Sequence, residues 1–198
     1  MDYVDVEGII LAAGFSSRAG RNKLLLDFGG KPVIERCILS MADVCAKIIV
    51  VGGHRIEDIR PLVTKYPKVE LIFNPDFEDG MFSSVKKGLS KVSGERFFIT
   101  PGDYPMVSKN TYRRMLEIDE DIVIPVFNGK GGHPLLMKSH FISEILPDNT
   151  LGTMRDFIKS KPSCRLNVED EGILLDIDDM DDYFKLLDKK QGEKLVRI

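Results

Sequence analysis

The residues best equipped for chemistry stand near the start of the chain. In "GIILAAGFSSRAGRNKLLLDFGGKP", residues 8–32, an apolar run gives way to Ala12, Ala13, Gly14, Ser16 and Ser17. Arg18, Arg21 and Lys23 follow directly. Small residues let backbone N–H groups come close to an anion. Arg18 can grip a phosphate with two N–H groups, and Lys23 adds a compact charge. Together they would hold a triphosphate, although neither GxxxxGK[ST] nor GxGxxG is present. On composition alone, a plain surface turn explains the stretch equally well.

Carboxylates form the second set. "TPGDYP" puts Asp103 just after an apolar run, between Gly102 and Tyr104-Pro105, where it serves either as a metal ligand or as a turn or capping residue. "LDIDDMDDY" holds Asp176, Asp178, Asp179, Asp181 and Asp182. The last three suit the first turn of a helix. Asp176 and Asp178 alternate around Ile177, a spacing that puts both on one side of a strand. His133 is the histidine set among glycines, in "GGHP", and a lone His is more often structural than catalytic. Asn74-Pro75 reads as a turn and Gly80 as a helix-start residue. Lys86 and Lys87 read as solvated helix charges.

These residues need elements to hold them. "GIILAA", "KIIVVGG", "VELIF", "RFFIT", "DIVIPVF" and "LLMK" read as strands, the first two continuous enough to be covered on both faces. "KPVIERCILSMADVC" carries Val33, Ile34, Cys37, Ile38 and Met41 at helical spacing, with Pro32 near its first turn. "RIEDIRPLVTKY" reads as a helix interrupted or kinked at Pro61, and "MFSSVKKGLSKV" and "NTYRRMLEI" as further helices. The tail "DDMDDYFKLLDKKQGEKL" reads as a charged closing helix with Tyr183, Phe184 and Leu187 inward. Alternating strands and helices predict a three-layer α/β/α, Rossmann-like sheet that is mainly parallel. "GKGGHPLLMK" predicts an antiparallel excursion, hence a mixed sheet. Ligands of such sheets bind beyond the carboxyl ends of the strands. That rule selects "AAGFSSRAGRNK", "NPDFEDG", "TPGDYP" and "NGKGGHP".

Composition narrows the class. At 198 residues, with 43% hydrophobic and 30% charged, the chain reads as one globular domain over residues 1–198. A net charge of −3 argues against a nucleic-acid binder. Cys37, Cys45 and Cys164 match no zinc or CxxC spacing and read as inert thiols in a reducing compartment. "MDYVDVEG" lacks a signal-peptide pattern, and no apolar run approaches a membrane span. The expectation is a cytoplasmic protein.

"LAAGFSSRAGRNKLLLDFGGKP" closely resembles LAAGxSxRMGxxKLL, the opening motif of the small nucleotidyltransferases that act on molybdenum cofactor, with Ala19 at the family's usual Met. "NPDFEDGMFSSVKKGL", "TPGDYPMV", "GKGGHPLLM" and "GILLDIDDMDDY" resemble that family's later motifs in the same order, so the likeness runs from about residue 8 to residue 183. The resemblance implies a nucleotide-diphospho-sugar transferase-like fold. It implies Leu11, Ala12, Ala13, Gly14, Ser16, Arg18, Lys23, Asn74, Gly80 and Ser84 as nucleotide-binding residues, with Arg18, Lys23 and Asp103 catalytic. Asp103 and Asp178 would hold Mg2+, with Mn2+ the alternative ion and Asp176 the alternative ligand. His133 would contact the pterin-type acceptor. The "LAAG" opening and the "GHP" element point within the family to transfer of CMP from CTP to the phosphate of molybdopterin, since relatives using GTP usually have Gly at Ala13. A molybdenum hydroxylase would be the downstream partner. GTP, or a sugar phosphate as acceptor, stays open, as does a non-catalytic protein that binds and delivers the cofactor.

Overall fold

The computed structural model of the chain describes residues 5–14, 22–148 and 151–196. Its strands are β1 (Val6–Ala12), β2 (Lys47–Gly52), β3 (Val69–Phe73), β4 (Arg96–Pro101), β5 (Ile122–Phe127), β6 (Lys130–Gly131), β7 (Leu135–Lys138) and β8 (Cys164–Asn167). They join in one sheet in the order β3-β2-β1-β4-β7-β5, with β6 and β8 both paired to β5. β1 to β4 are mutually parallel. β7 runs antiparallel to β4 and to β5, which is the mixed sheet expected from the "GHP" segment.

The helices are α1 (Val33–Met41), α2 (Ile56–Val63), α3 (Met81–Leu89), α4 (Lys109–Leu116), α5 (Ile142–Ile145), α6 (Met154–Lys159) and α7 (Met180–Val196). They cover both faces of the sheet, and side-chain alternation along the strands decides which face receives which residue. Ile10, Ile48, Val50 and Phe98 share one core with Ile34 and Ile38 of α1, Met115 of α4 and Leu186 of α7. Their neighbours Ile9, Ile49, Val51 and Phe97 share the other with Val85 and Leu89 of α3 and Phe157 of α6. Both faces being dry explains why these strands read as continuous apolar runs. Each fully buried Ile contributes about 1.5–3 kcal/mol.

Several local expectations are corrected. α1 follows Pro32 and ends at Met41, and α2 continues through Pro61. In α7 Tyr183 and Leu186 face inward, whereas Phe184 is 55% exposed. Lys86 is not simply solvated: it donates to the Asp148 carbonyl at 2.6 Å and lies over the Phe82 ring. Residues 175–178 form no strand. Ile177 is wholly buried, and this anchors the segment that carries Asp176 and Asp178.

Between β6 and β7 the pairing to β5 slips by two residues, since Val126 faces Gly131 while Val123 faces Leu136. Gly132 still donates its N–H to the Pro125 carbonyl of β5 at 2.9 Å, whereas the His133 N–H turns to the Ile173 carbonyl at 2.9 Å, so His133 leaves the sheet register. Among the described residues no helix is long and apolar enough to cross a membrane.

Candidate active site

The first three loops chosen by the sheet-edge rule meet around a cavity of about 360 Å³. Leu11 to Gly14 leave the end of β1, and Pro101, Gly102 and Asp103 leave the end of β4. The Gly102 N–H donates to the Leu11 carbonyl at 2.8 Å, which holds the two strand exits side by side.

Lys23 begins a short 3-10 turn, Lys23–Leu25, whose N-cap Asn22 accepts from the Leu24 N–H. Leu24 and Phe28 are buried in the core, so the backbone around Lys23 is pinned while its side chain turns to the cavity. Its ammonium lies 2.6 Å from Asp103 Oδ2 and 3.7 Å from Asp178 Oδ1. The Lys23 and Asp103 side chains are 15% and 17% exposed, and Asp178 is 45% exposed, so the pair sits inside the mouth and Asp178 at its rim. Asp103 Oδ1 is buried and has no hydrogen-bond partner among the described residues.

Asp176 stands beside this group. Burial raises its carboxyl pKa, and the Asp103 and Asp178 charges add to that, with Lys23 opposing. Among the described residues, Lys23 is thus the cation that faces all three carboxylates. Among the described residues no three His, Cys, Asp or Glu side chains form a metal-holding cluster.

Gly80 and Ser84 line the cavity from the α3 side. Gly80 precedes α3 at φ 94°, in the left-handed region that favours glycine. Asn74 is elsewhere: it is 1% exposed and does not line the cavity. Its Nδ2 donates to Ser83 Oγ and Ser84 Oγ, and its Oδ1 accepts from the Asp76 N–H. Ser16 and Arg18, together with Ala19 and Arg21, lie outside the described residues.

His133 opens on a second cavity of about 720 Å³ that shares Gly80 and Met81 with the first. Burial lowers its pKa, against the opposing pull of Asp103 and a hydrogen bond to the Ile99 backbone. Its buried Nδ1 has no hydrogen-bond partner among the described residues, and its ring packs edge-on to Tyr104 at 4.9 Å. Tyr104, held in its protonated form by burial and by the three neighbouring aspartates, was not selected from sequence; nor was Phe77, a wall of the first cavity. The signals were faint, an aromatic after Asp103 and one in the "NPDFEDG" loop.

The mainly parallel mixed sheet has the fold of solved nucleotidyltransferases. A nucleotidyl transferase from Methanothermobacter superposes with a TM-score of 0.81 at 21% identity, covering 93% of this chain and 96% of that one. Rv0371c of Mycobacterium tuberculosis H37Rv, in a complex with manganese, superposes at 0.75 and 22% identity, covering 93% and 98%. The family of the MobA-like NTP transferase domain matches residues 8–165, and the chain belongs to it. Molybdenum cofactor cytidylyltransferase of Escherichia coli K12 is 29% identical over 90% of this chain and 93% of its own length. A probable molybdenum cofactor guanylyltransferase of Bacillus cereus is 30% identical over 67% of each.

Proposed function

We propose that this nucleotidyltransferase moves CMP from CTP to the phosphate of a molybdopterin-type acceptor, acting as one cytoplasmic domain and depending on a divalent cation. What carries the assignment is the Lys23 ammonium, 2.6 Å from Asp103 on the wall of a cavity at the sheet's carboxyl edge. CTP is favoured over GTP because the Escherichia coli cytidylyltransferase aligns over 90% of the chain, against 67% for the Bacillus guanylyltransferase. Ala13, in the position where relatives using GTP usually have Gly, agrees.

An acceptor phosphate oxygen attacks the α-phosphorus of CTP. The bond from that phosphorus to the β-bridging oxygen breaks, and pyrophosphate leaves with its electron pair. The attacking phosphate is ionised near neutral pH, so no strong base is needed. Catalysis of this kind rests on positioning and on charge neutralisation. Backbone N–H groups at Ala12 to Gly14 approach the phosphates, while Lys23 and Arg18 offset their charge. Ser84 faces the nucleotide, and Asn74 acts beneath it by orienting Ser83 and Ser84. The larger cavity beside His133 and Tyr104 receives the body of the acceptor.

Asp103 and Asp178 suit Mg2+ or Mn2+. The Oδ1 of Asp103, which has no partner among the described residues, is a buried acceptor suited to a hard cation, and the second carboxylate is at the rim. When bound, such an ion supplies Lewis-acid stabilisation of phosphate charge.

The test is pyrophosphate release from each NTP with Mg2+ and molybdenum cofactor. Release with CTP alone is the expected result. Release with GTP instead would reassign the base, and none with any NTP would overturn the enzymatic assignment.

A further inference from the structure

The loop that follows β3 is held far more firmly than a connecting turn requires. Asn74 ties its first turn through the Asp76 N–H and reaches Ser83 and Ser84 of α3, while Ser83 Oγ donates to the Asp76 carbonyl at 2.6 Å. The residue presented by this bracing is Phe77. Its stem rests against Gly53, just past the end of β2. A Cβ placed on Gly53 would lie 2.6 Å from the Phe77 Cβ and 2.8 Å from the Ala13 Cβ. Only glycine lets those two side chains close over it. The Phe73 and His54 rings stand beside Phe77 with centroids at 6.5 and 6.2 Å, both tilted. Three chain segments therefore fix one half-buried aromatic ring on the wall of the nucleotide cavity, next to Leu11 and Ala13.

We infer that Phe77 is the surface on which the nucleotide base stacks, with Gly53 setting how closely the ring is seated beside Ala13. The inference rests on the nucleotide reading of the first cavity. A rigid aromatic wall offers little to a triphosphate but binds the face of a base, because stacking needs no hydrogen-bond match and loses little side-chain freedom when the ring is already held. Phe77 then supplies affinity for the base, and Ala13, on the same cavity wall, bounds the space left for it.

The chain contains no tryptophan, so Phe77→Trp places a single tryptophan, excited selectively beyond the tyrosine band, at the position in question. With Mg2+ present, CTP should change its emission saturably. Inorganic tripolyphosphate should compete with CTP while leaving the emission unchanged. In calorimetry, Phe77→Leu should weaken CTP about tenfold and leave tripolyphosphate affinity within about twofold. Unchanged emission with calorimetrically bound CTP, or equal weakening of both ligands by Phe77→Leu, would overturn the inference. Absence of CTP binding to the wild-type protein would overturn the nucleotide reading itself, and this inference with it.

Discussion

The backbone N–H of Ile177 donates to the carbonyl of Asp103 at 3.0 Å. This bond fastens the segment bearing Asp176 and Asp178 to the exit of β4. A second tie lies nearby, where Tyr183 Oη of α7 donates to the Asp27 carbonyl at 2.6 Å, four residues beyond Lys23. The three segments that supply Lys23, Asp103 and Asp178 are thus laced to one another by main-chain partners, and Ile177 is buried between its two acidic neighbours.

Asp103→Asn keeps the shape of the side chain and removes its charge. Turnover should fall on the order of 100-fold or more, with the circular dichroism spectrum unchanged. Pyrophosphate release under saturating CTP and Mg2+ measures it. Activity near wild type would remove Asp103 from the cation site.

Lys23→Ala takes away the cation that the carboxylates face. The KM for the nucleotide should rise and kcat should drop, together lowering kcat/KM by about 100-fold or more. Steady-state kinetics with varied CTP separates the two effects. An unchanged kcat/KM would return the first loop to the rank of a surface turn.

Tyr183→Phe deletes a single hydroxyl and its bond to Asp27. The loss should be about 1 kcal/mol, lowering Tm by about 2–4 °C. If the tie also aligns the site, kcat falls several-fold while CTP affinity measured by calorimetry stays constant. An unaltered kcat at temperatures well below Tm would restrict Tyr183 to packing.

Glu35 of α1 gives the pH dependence. Desolvation raises its pKa, but hydrogen bonds from Lys65 and Tyr66, both 2.6 Å long, outweigh it and leave the value lowered. The Tyr66 hydroxyl is correspondingly pushed up to about 12, by burial first and then by Glu35. A lowered carboxylate adds stability that is complete above the ordinary glutamate value of about 4.3, and that is lost as pH falls through the lower native value. Glu35→Gln should cost about 1–3 kcal/mol at pH 7 and flatten the acid side of the stability curve. Urea titrations at several pH values between neutrality and the acid limb read both effects, and parallel curves for the two proteins would refute the assignment.

The parallel half of the sheet was legible because β1, β2 and β4 are dry on both faces and read as unbroken apolar runs. β8 was not, since its four residues alternate between half-buried and exposed and its pairing to β5 is remote in sequence. The phase of α7 was misread because a strongly charged helix gives a weak periodic signal, so Phe184 took the place that belongs to Leu186. In the site, Lys23 and Asp103 carried chemical types that can be recognised one by one, but their contact across 80 residues has no local signature. Asn74 shows the opposite limit. Its place in a motif marked it as important, while its burial and its three partners assign it to bracing the loop.

That same span of 80 residues governs how activity returns after denaturation. Lys23 can meet Asp103 only once β4 has docked on β1, and Asp178 arrives from farther along the chain still. Early-forming local pieces of the molecule hold at most one member of the trio. Non-local pairings of this kind close late because loop-closure entropy must be overcome before they are made. If the trio performs the reaction, recovery of turnover should track the last global phase of refolding, and a proteolytic fragment lacking any one of the three segments should be inert however well its remaining strands pair.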